Sequence, residues 1–313
     1  MLELVLKRLL AAIPVMLIVA TVVFLLLRLA PGDPARVMAG DMASEETIAA
    51  IRAEMGLDQS IATQYLRWMG ALAQGDLGHS IQSKLPVTEL IKTRLGPTFA
   101  LAAWAIGLTI ALAIPLGVLA AWRHRSLADR GIMAVAVLGF SVPVFVVGYV
   151  LILVFSVKLN WLPVQGYAPL ADGLAAHAAH MLLPTLTLSM VFVALITRIT
   201  RASLLDVLGE DFVRTARAKG VTERYVLFRH ALRNAAIPIV TIVGVALTAL
   251  ISGVVVTETI FNIAGVGRLI VDAVLARDYP VVQGTILFFS FIYVLVNLLI
   301  DMSYVLLDPR IRY

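Results

Sequence analysis

The chain has 313 residues, 60% of them hydrophobic and only 14% charged, with a mean hydropathy of +0.94 and a formal net charge of +5. Such a composition excludes an ordinary soluble enzyme or binding domain and marks a membrane protein. There is no cysteine, so disulfides and thiolate metal sites are excluded. Lys7, Lys84, Lys92, Lys158 and Lys219 all lack the preceding glycine that a phosphate-binding P-loop requires.

Six long segments contain no Asp, Glu, Lys or Arg: between Arg8 and Arg28, Arg94 and Arg123, Arg130 and Lys158, Asp172 and Arg198, Arg233 and Glu258, and Asp278 and Asp301. Each holds about 20 residues or slightly more, enough at about 1.5 Å per residue to cross a hydrocarbon layer of about 30 Å. The expected fold class is an all-α polytopic membrane protein with six transmembrane helices. The first segment follows Lys7 and Arg8 as a signal peptide would. It is too long for a signal-peptide core, however, and leads into Arg28 and PGDP, not a small-x-small cleavage site, so residues 1–30 are expected to keep it as a helix.

Residues 31–96 are the only sizeable stretch outside the spans. Asp33 and Pro34 suit the N-cap and first position of a helix. Ile48, Ile51 and Met55, then Ile61, Tyr65, Trp68, Met69 and Leu72, recur at helical spacing, so two or three short helices are expected before a turn at GDLGHS, Gly75 to Ser80. Asn160 to Gly173 is rich in turn formers and carries Trp161 and Tyr167 as interfacial aromatics. Near the end, a short helix is expected around Leu269 to Leu275, and GVG at Gly265 to Gly267 follows no strand and is expected to be a turn, not a nucleotide loop.

Basic residues alternate between connections. Lys7 and Arg8, then Arg123, Arg125 and Arg130, then Arg198 through Arg233, then Arg310 and Arg312 fall on one side, while the opposite loops are acidic or balanced. The positive-inside rule puts both termini in the cytoplasm. The basic isoelectric point follows from this topology, with no nucleic-acid partner needed.

The densest basic stretch is GEDFVRTARAKGVTERYVLFRHALRNAAIP, Gly209 to Pro238. Glu210 and Asp211 suit the positive end of a helix, with Phe212, Ala216 and Lys219 on one face. Gly220 can take the left-handed conformation that ends such a helix. A second helix is expected beyond it, with Val221, Tyr225, Phe228 and Leu232 on one side and Arg224, Arg229 and Arg233 displaced from it. A basic amphipathic loop can serve only as a topology signal resting on anionic headgroups. A capped helix, a break at one glycine and a second helix leading into a span instead make a rigid bracket suited to docking another protein.

Few other groups suggest chemistry. His177 and His180 share a helix face without a third metal ligand, and His79, His124 and His230 are isolated. An ion-coupled secondary carrier, the alternative from another class, calls for ionisable groups in mid-membrane. The spans offer none: Asp301 and Arg198 stand near expected helix ends, and Asn297 is a lone amide. Pro115, Pro143, Pro184 and Pro238 can kink their spans.

The basic stretch resembles the cytoplasmic coupling loop, the EAA loop, of the permease subunits of bacterial ABC importers, in the branch that takes dipeptides, oligopeptides, glutathione and, in some members, nickel. The similarity runs along nearly the whole chain, through LKRLLAAIPVMLIVATVVFLLLRLAPGDPA, GLD at Gly56 to Asp58, GDLGHS, TRLGPTFALA, NWLP, HMLLPTLTL, TETIFNIAGVGRL, RDYPVVQG and DPRIRY. It implies a type I ABC importer permease in the bacterial inner membrane: a permease core at 97–313, a coupling loop at 204–235, and an external helical segment at 31–96.

By the same resemblance the chain would form half of a pathway working by alternating access. Its partners would be a second homologous permease, two cytoplasmic ABC ATPases holding the ATP and Mg, an external solute-binding protein and the lipid bilayer. No cofactor, metal or catalytic residue is implied for this chain. The implied ATPase-coupling residues are Glu210, Asp211, Phe212, Arg214, Thr215, Ala216, Arg217, Lys219 and Gly220. The family-wide Glu-Ala-Ala is replaced by Arg214, Thr215 and Ala216, and the proline that follows arrives only at Pro238, so the glutamate's role does not transfer to Arg214. The substrate path, and the choice among these solutes, are left unassigned.

Overall fold

The structure is a computed structural model and describes residues 2–29, 33–40 and 43–307. Among these residues the chain is helical with no β-strand. The resemblance at 308–313 lies outside them, as do residues 31 and 32 of the expected external segment. Helices α1 (Leu2–Leu29), α5 (Val87–Trp122), α8 (Leu174–Leu208), α12 (Ala236–Ile260) and α14 (Tyr279–Leu307) are each long and apolar enough to cross a membrane. A sixth crossing is available if α6 (Leu127–Ser141) and α7 (Val144–Leu151), the latter extended by a π-helical turn at Ile152–Lys158, act together.

That pair departs from the straight span expected between Arg130 and Lys158, because it bends by 102°. The cause is local. A residue before proline is pushed out of the helical region, and Pro143 has no N–H to continue the ladder. Val142 is accordingly extended (φ −90°, ψ 127°) and α7 restarts with Pro143 as its N-cap. Pro115 and Pro184, by contrast, lie inside the unbroken α5 and α8.

Packing divides the chain into two units. One comprises Leu2–Gly96 with Ala264–Val294 and holds the short helices α2 (Pro34–Ala39), α3 (Glu45–Glu54) and α4 (Ile61–Ala73), as well as α13 (Val266–Leu275). Asp33 caps α2 by accepting the Ala35 N–H, with Pro34 at the first helical position as expected. Phe24 of α1 is fully buried, stacked on Trp68 and met edge-on by Tyr65 of α4, whose hydroxyl pairs with Thr21 at 2.7 Å. The GDLGHS turn uses positive φ at Gly75 and Gly78, and its far end is held by the buried Asp278 carboxylate, which accepts from the Ser80 hydroxyl and the Ile81 and Gln82 N–H groups. Gly265 to Gly267 open α13, Gly265 serving as its extended N-cap, so the expected turn there is a helix start.

The other unit, Pro97–Ile263 with residues from Leu295 onward, is built around α8. Leu183, Leu188, Phe192 and Ile196 of α8 pack with Leu101 and Ala105 of α5 and with Ala246, Leu250 and Val254 of α12. Within a membrane such contacts rest on close packing and small residues more than on water exclusion. Gly117 of α5 meets this condition: a Cβ there would stand 2.6 Å from Thr200 Cβ and 2.8 Å from the Thr197 carbonyl oxygen.

Candidate functional site

The basic stretch links α8 to α12, two helices that pack along each other. After Gly209 the chain forms α9 (Asp211–Ala218), with Glu210 as an extended N-cap and Asp211 in the first turn, where the helix dipole favours negative charge. Val213, a residue the sequence pattern did not single out, is fully buried and anchors the helix. Phe212, Arg214, Thr215, Arg217 and Lys219 face outward, and Ala216 is half-buried. Thr215 turns its hydroxyl back to the Asp211 carbonyl at 2.9 Å, and Arg214 reaches the Asp211 carboxylate at 3.2 Å, an exposed pair of small energetic weight.

The end of α9 is sharply defined. Gly220 has φ +79°; its N–H donates to the Arg217 carbonyl at 2.9 Å and the Val221 N–H to the Ala216 carbonyl at 3.2 Å, the paired bonds of a Schellman cap. Across this corner the Arg217 guanidinium grips Glu223 with both its Nε (2.7 Å) and Nη2 (3.2 Å), so the two limbs of the bracket are tied by a forked ion pair. Of the residues expected to couple, the structure gathers all nine, Glu210 to Gly220, on this one projecting limb.

The second limb differs from the helix expected. It runs through α10 (Glu223–Tyr225), a π-helical segment at Val226–Ala231 and α11 (Leu232–Asn234) before α12 starts at Ala236. Val226, Leu227 and Ala231 are its buried face, the latter two packed with Val118, Leu204 and Ile239, whereas Tyr225 and Phe228 are exposed. The wider i→i+5 turn rotates the side chains away from the 3.6-residue register on which the expected apolar face rested.

Two further buried acids, besides Asp278, escaped the sequence reading. Asp129, at the start of α6, accepts from Arg201 of α8 through Nε (2.6 Å) and Nη2 (2.8 Å) and from the Arg125 N–H at 2.9 Å, with His124 3.3 Å away. It joins α6 to the lower part of α8, whose length carries Arg198 and Arg201 well inside a helix and not near its end. Glu258, taken from sequence as a boundary of the fifth span, lies in the last turn of α12, is fully buried, and accepts the Thr98 hydroxyl at 2.6 Å.

His177 is also buried. The Trp104 indole can only donate, so its 3.1 Å contact makes His177 Nε2 an acceptor and leaves Nδ1–H to bond the Ala168 carbonyl at 2.7 Å. Both ring nitrogens are thus committed to structure, while His180 Nδ1 contacts the Ala176 carbonyl.

An apolar groove of about 470 Å³ lies among α5, α6, α7 and α8, lined by Leu112, Ile132, Val135, Val147 and Met190. Its hydroxyls, Ser189 and Thr197, donate to the Ala105 and Ala113 carbonyls. A peptide backbone would find no free partner there, so this surface suits apolar neighbours and not a polar solute.

The family model described as "Binding-protein-dependent transport system inner membrane component" matches residues 113–313, and a companion model for the N-terminal part of such membrane components matches residues 1–102. A probable peptide ABC transporter permease protein of Sinorhizobium fredii is 48% identical over 99% of both chains. A putative peptide transport system permease protein of Brucella abortus is 46% identical over the whole of both, and a glutathione transport system permease protein of Salmonella paratyphi A is 45% identical over the same extent. In fold, the chain is similar to a solved structure of the MetNI methionine ABC transporter in an inward-facing conformation. The TM-score is 0.59 at 15% identity, covering 71% of this chain and 97% of that one.

Proposed function

Because this chain belongs to the binding-protein-dependent transport system inner membrane components, we propose that it forms one half of the pathway by which an ATP-driven importer moves small peptides across the bacterial inner membrane. The observation that carries this reading is the 48% identity, over 99% of both chains, to a permease named for peptide transport. A second substrate reading, glutathione, rests on the 45% identity to a permease named for that solute, itself a small peptide.

In the mechanism we infer, a second permease completes the pathway, two ATPases bind ATP and Mg on the cytoplasmic side, and an external binding protein delivers the solute. The α9 limb sits in a groove of one ATPase, with the exposed Phe212 as its apolar anchor. Closure of the ATPases displaces α9. Arg217–Glu223 and the Gly220 cap keep the corner from folding, so the displacement passes to α8 and α12, which move as a packed pair. Access then alternates because the two permeases rock against each other, a rearrangement of a bistable interface and not a flow through a fixed hole.

Gentle purification of a tagged chain from its native host, with mass spectrometry of what stays bound, tests this. Two ATPases and a second permease are expected, and the reconstituted complex should accumulate di- and tripeptides only with ATP and the binding protein present. Uptake of solute by the lone chain along an ion gradient, without ATP, would replace the importer reading with a carrier.

A further inference from the structure

The second limb of the bracket carries a feature outside the α9 limb assigned to ATPase docking. Arg224, Arg229 and Arg233 line one open pocket of about 560 Å³ together with Thr222, Tyr225 and Phe228. In an α-helix, residues 224 and 233 would be about two and a half turns apart and so on opposite faces. The π-helical turn at Val226–Ala231 widens the winding so that residues separated by five and then four positions come to one side. Irregular winding of this kind is uncommon and often marks a functional site.

Among the described residues, the three guanidiniums also lack protein anions. Asp211 is paired with Arg214 and Glu223 with Arg217, and no described carboxylate pairs with Arg224, Arg229 or Arg233. Arg229 instead lies over the Tyr225 ring at 5.9 Å, and His230 meets that ring edge-on at 5.5 Å, which fixes the pocket wall. Arg233 stands three residues before α12 begins, and Tyr225, Phe228 and Ile237 are exposed beside it. Exposed aromatic and aliphatic side chains around a cationic pocket at the foot of a span match the boundary between headgroups and acyl chains.

We propose that Arg224, Arg229 and Arg233 form a binding site for the phosphate of an anionic phospholipid headgroup, seated where the bracket enters the membrane. Planar guanidiniums grip phosphate oxygens in pairs, Phe228 lies against the first acyl carbons, and a lipid held there wedges the second limb against the foot of α12. The site requires only that α12 crosses a membrane, so it stands or falls separately from the transport reading.

The test uses the full chain in phosphatidylcholine nanodiscs with and without phosphatidylglycerol, read by native mass spectrometry for retained anionic lipid. Wild type should retain phosphatidylglycerol, and each of Arg224→Gln, Arg229→Gln and Arg233→Gln should weaken retention about fivefold, the triple variant abolishing it. Replacement of all three by Lys, which keeps charge but not the paired grip, should retain part of it and shows that loss is not unfolding. Arg214→Gln, an equal charge change on α9, should leave retention intact. The site is overturned if the triple Gln variant retains lipid as wild type does, or if Arg214→Gln lowers retention equally, the mark of diffuse attraction. It is also overturned if inorganic phosphate displaces the lipid, the mark of a free-phosphate site, or if only the ATPase protects these arginines from modification.

Discussion

At the scale of single residues, Gly220 is the position where backbone geometry and the proposed coupling role meet. Nothing stands within 4 Å of a Cβ built there, so a side chain would not clash; the cost comes entirely from φ +79°. For a β-branched residue the left-handed region costs about 1–2 kcal/mol or more, while asparagine tolerates it. The cap will then open and α9 will lose its fixed direction without disturbing the spans. Gly220→Val is expected to reduce ATP-driven uptake at least several-fold at unchanged membrane level, and Gly220→Asn to keep most of it. Uptake equal to wild type in the valine variant would remove α9 from the coupling role. This glycine was legible in sequence because its signal is local. Asp129 was not: it stands among Arg123, Arg125 and Arg130 in what looks like a solvated loop, and its partner Arg201 is 72 residues away. Glu258 was hidden for a similar reason, since a charge at the end of an apolar run reads as the end of the span, whereas its full burial and its bond from Thr98 place it inside the packed helix end.

Elements were legible wherever one signal dominated. Charge-free runs located all six candidate crossings, and the Asp33–Pro34 cap and the glycine-rich turn at 75–80 fell where local chemistry put them. Two elements were misread because the 3.6-residue period was assumed throughout. The helix after Gly220 winds as a π-helix, so the side expected to be apolar is not the one buried, and the third crossing breaks at Pro143. What sequence cannot reveal is which faces of two helices touch, and here the close approach of α5 to α8 depends on Gly117. Adding atoms against Thr200 and a backbone carbonyl forces the helices apart, an overpacking cost of about 1–3 kcal/mol. Gly117→Val should therefore lower the thermal denaturation midpoint of the purified chain, whereas Gly131→Ala, with nothing within 4 Å of the added methyl, should leave it within error. Equal midpoints for Gly117→Val and wild type would show that the α5–α8 contact relaxes at no cost.

At the scale of the whole molecule, the bent pair decides topology. If α6 and α7 together make one crossing, the loop at 159–173 and the segment at 43–86 share one side of the membrane, and α9 lies on the other with the basic connections. If the pair instead enters and leaves by the same face, only five crossings remain and α8 runs in the opposite direction. That arrangement would strand α9 outside the cell, away from any ATPase, and would put its arginines on the side the positive-inside rule disfavours. The absence of native cysteine makes the question directly measurable with single-cysteine variants and a membrane-impermeant maleimide. Asp58→Cys and Gln165→Cys, both at exposed positions, should label in intact cells, and Lys219→Cys only after the membrane is opened. Labelling of Lys219→Cys from outside, with Gln165→Cys protected, would mean that the 102° bend is a re-entrant turn, and the coupling role of α9 would fall with it.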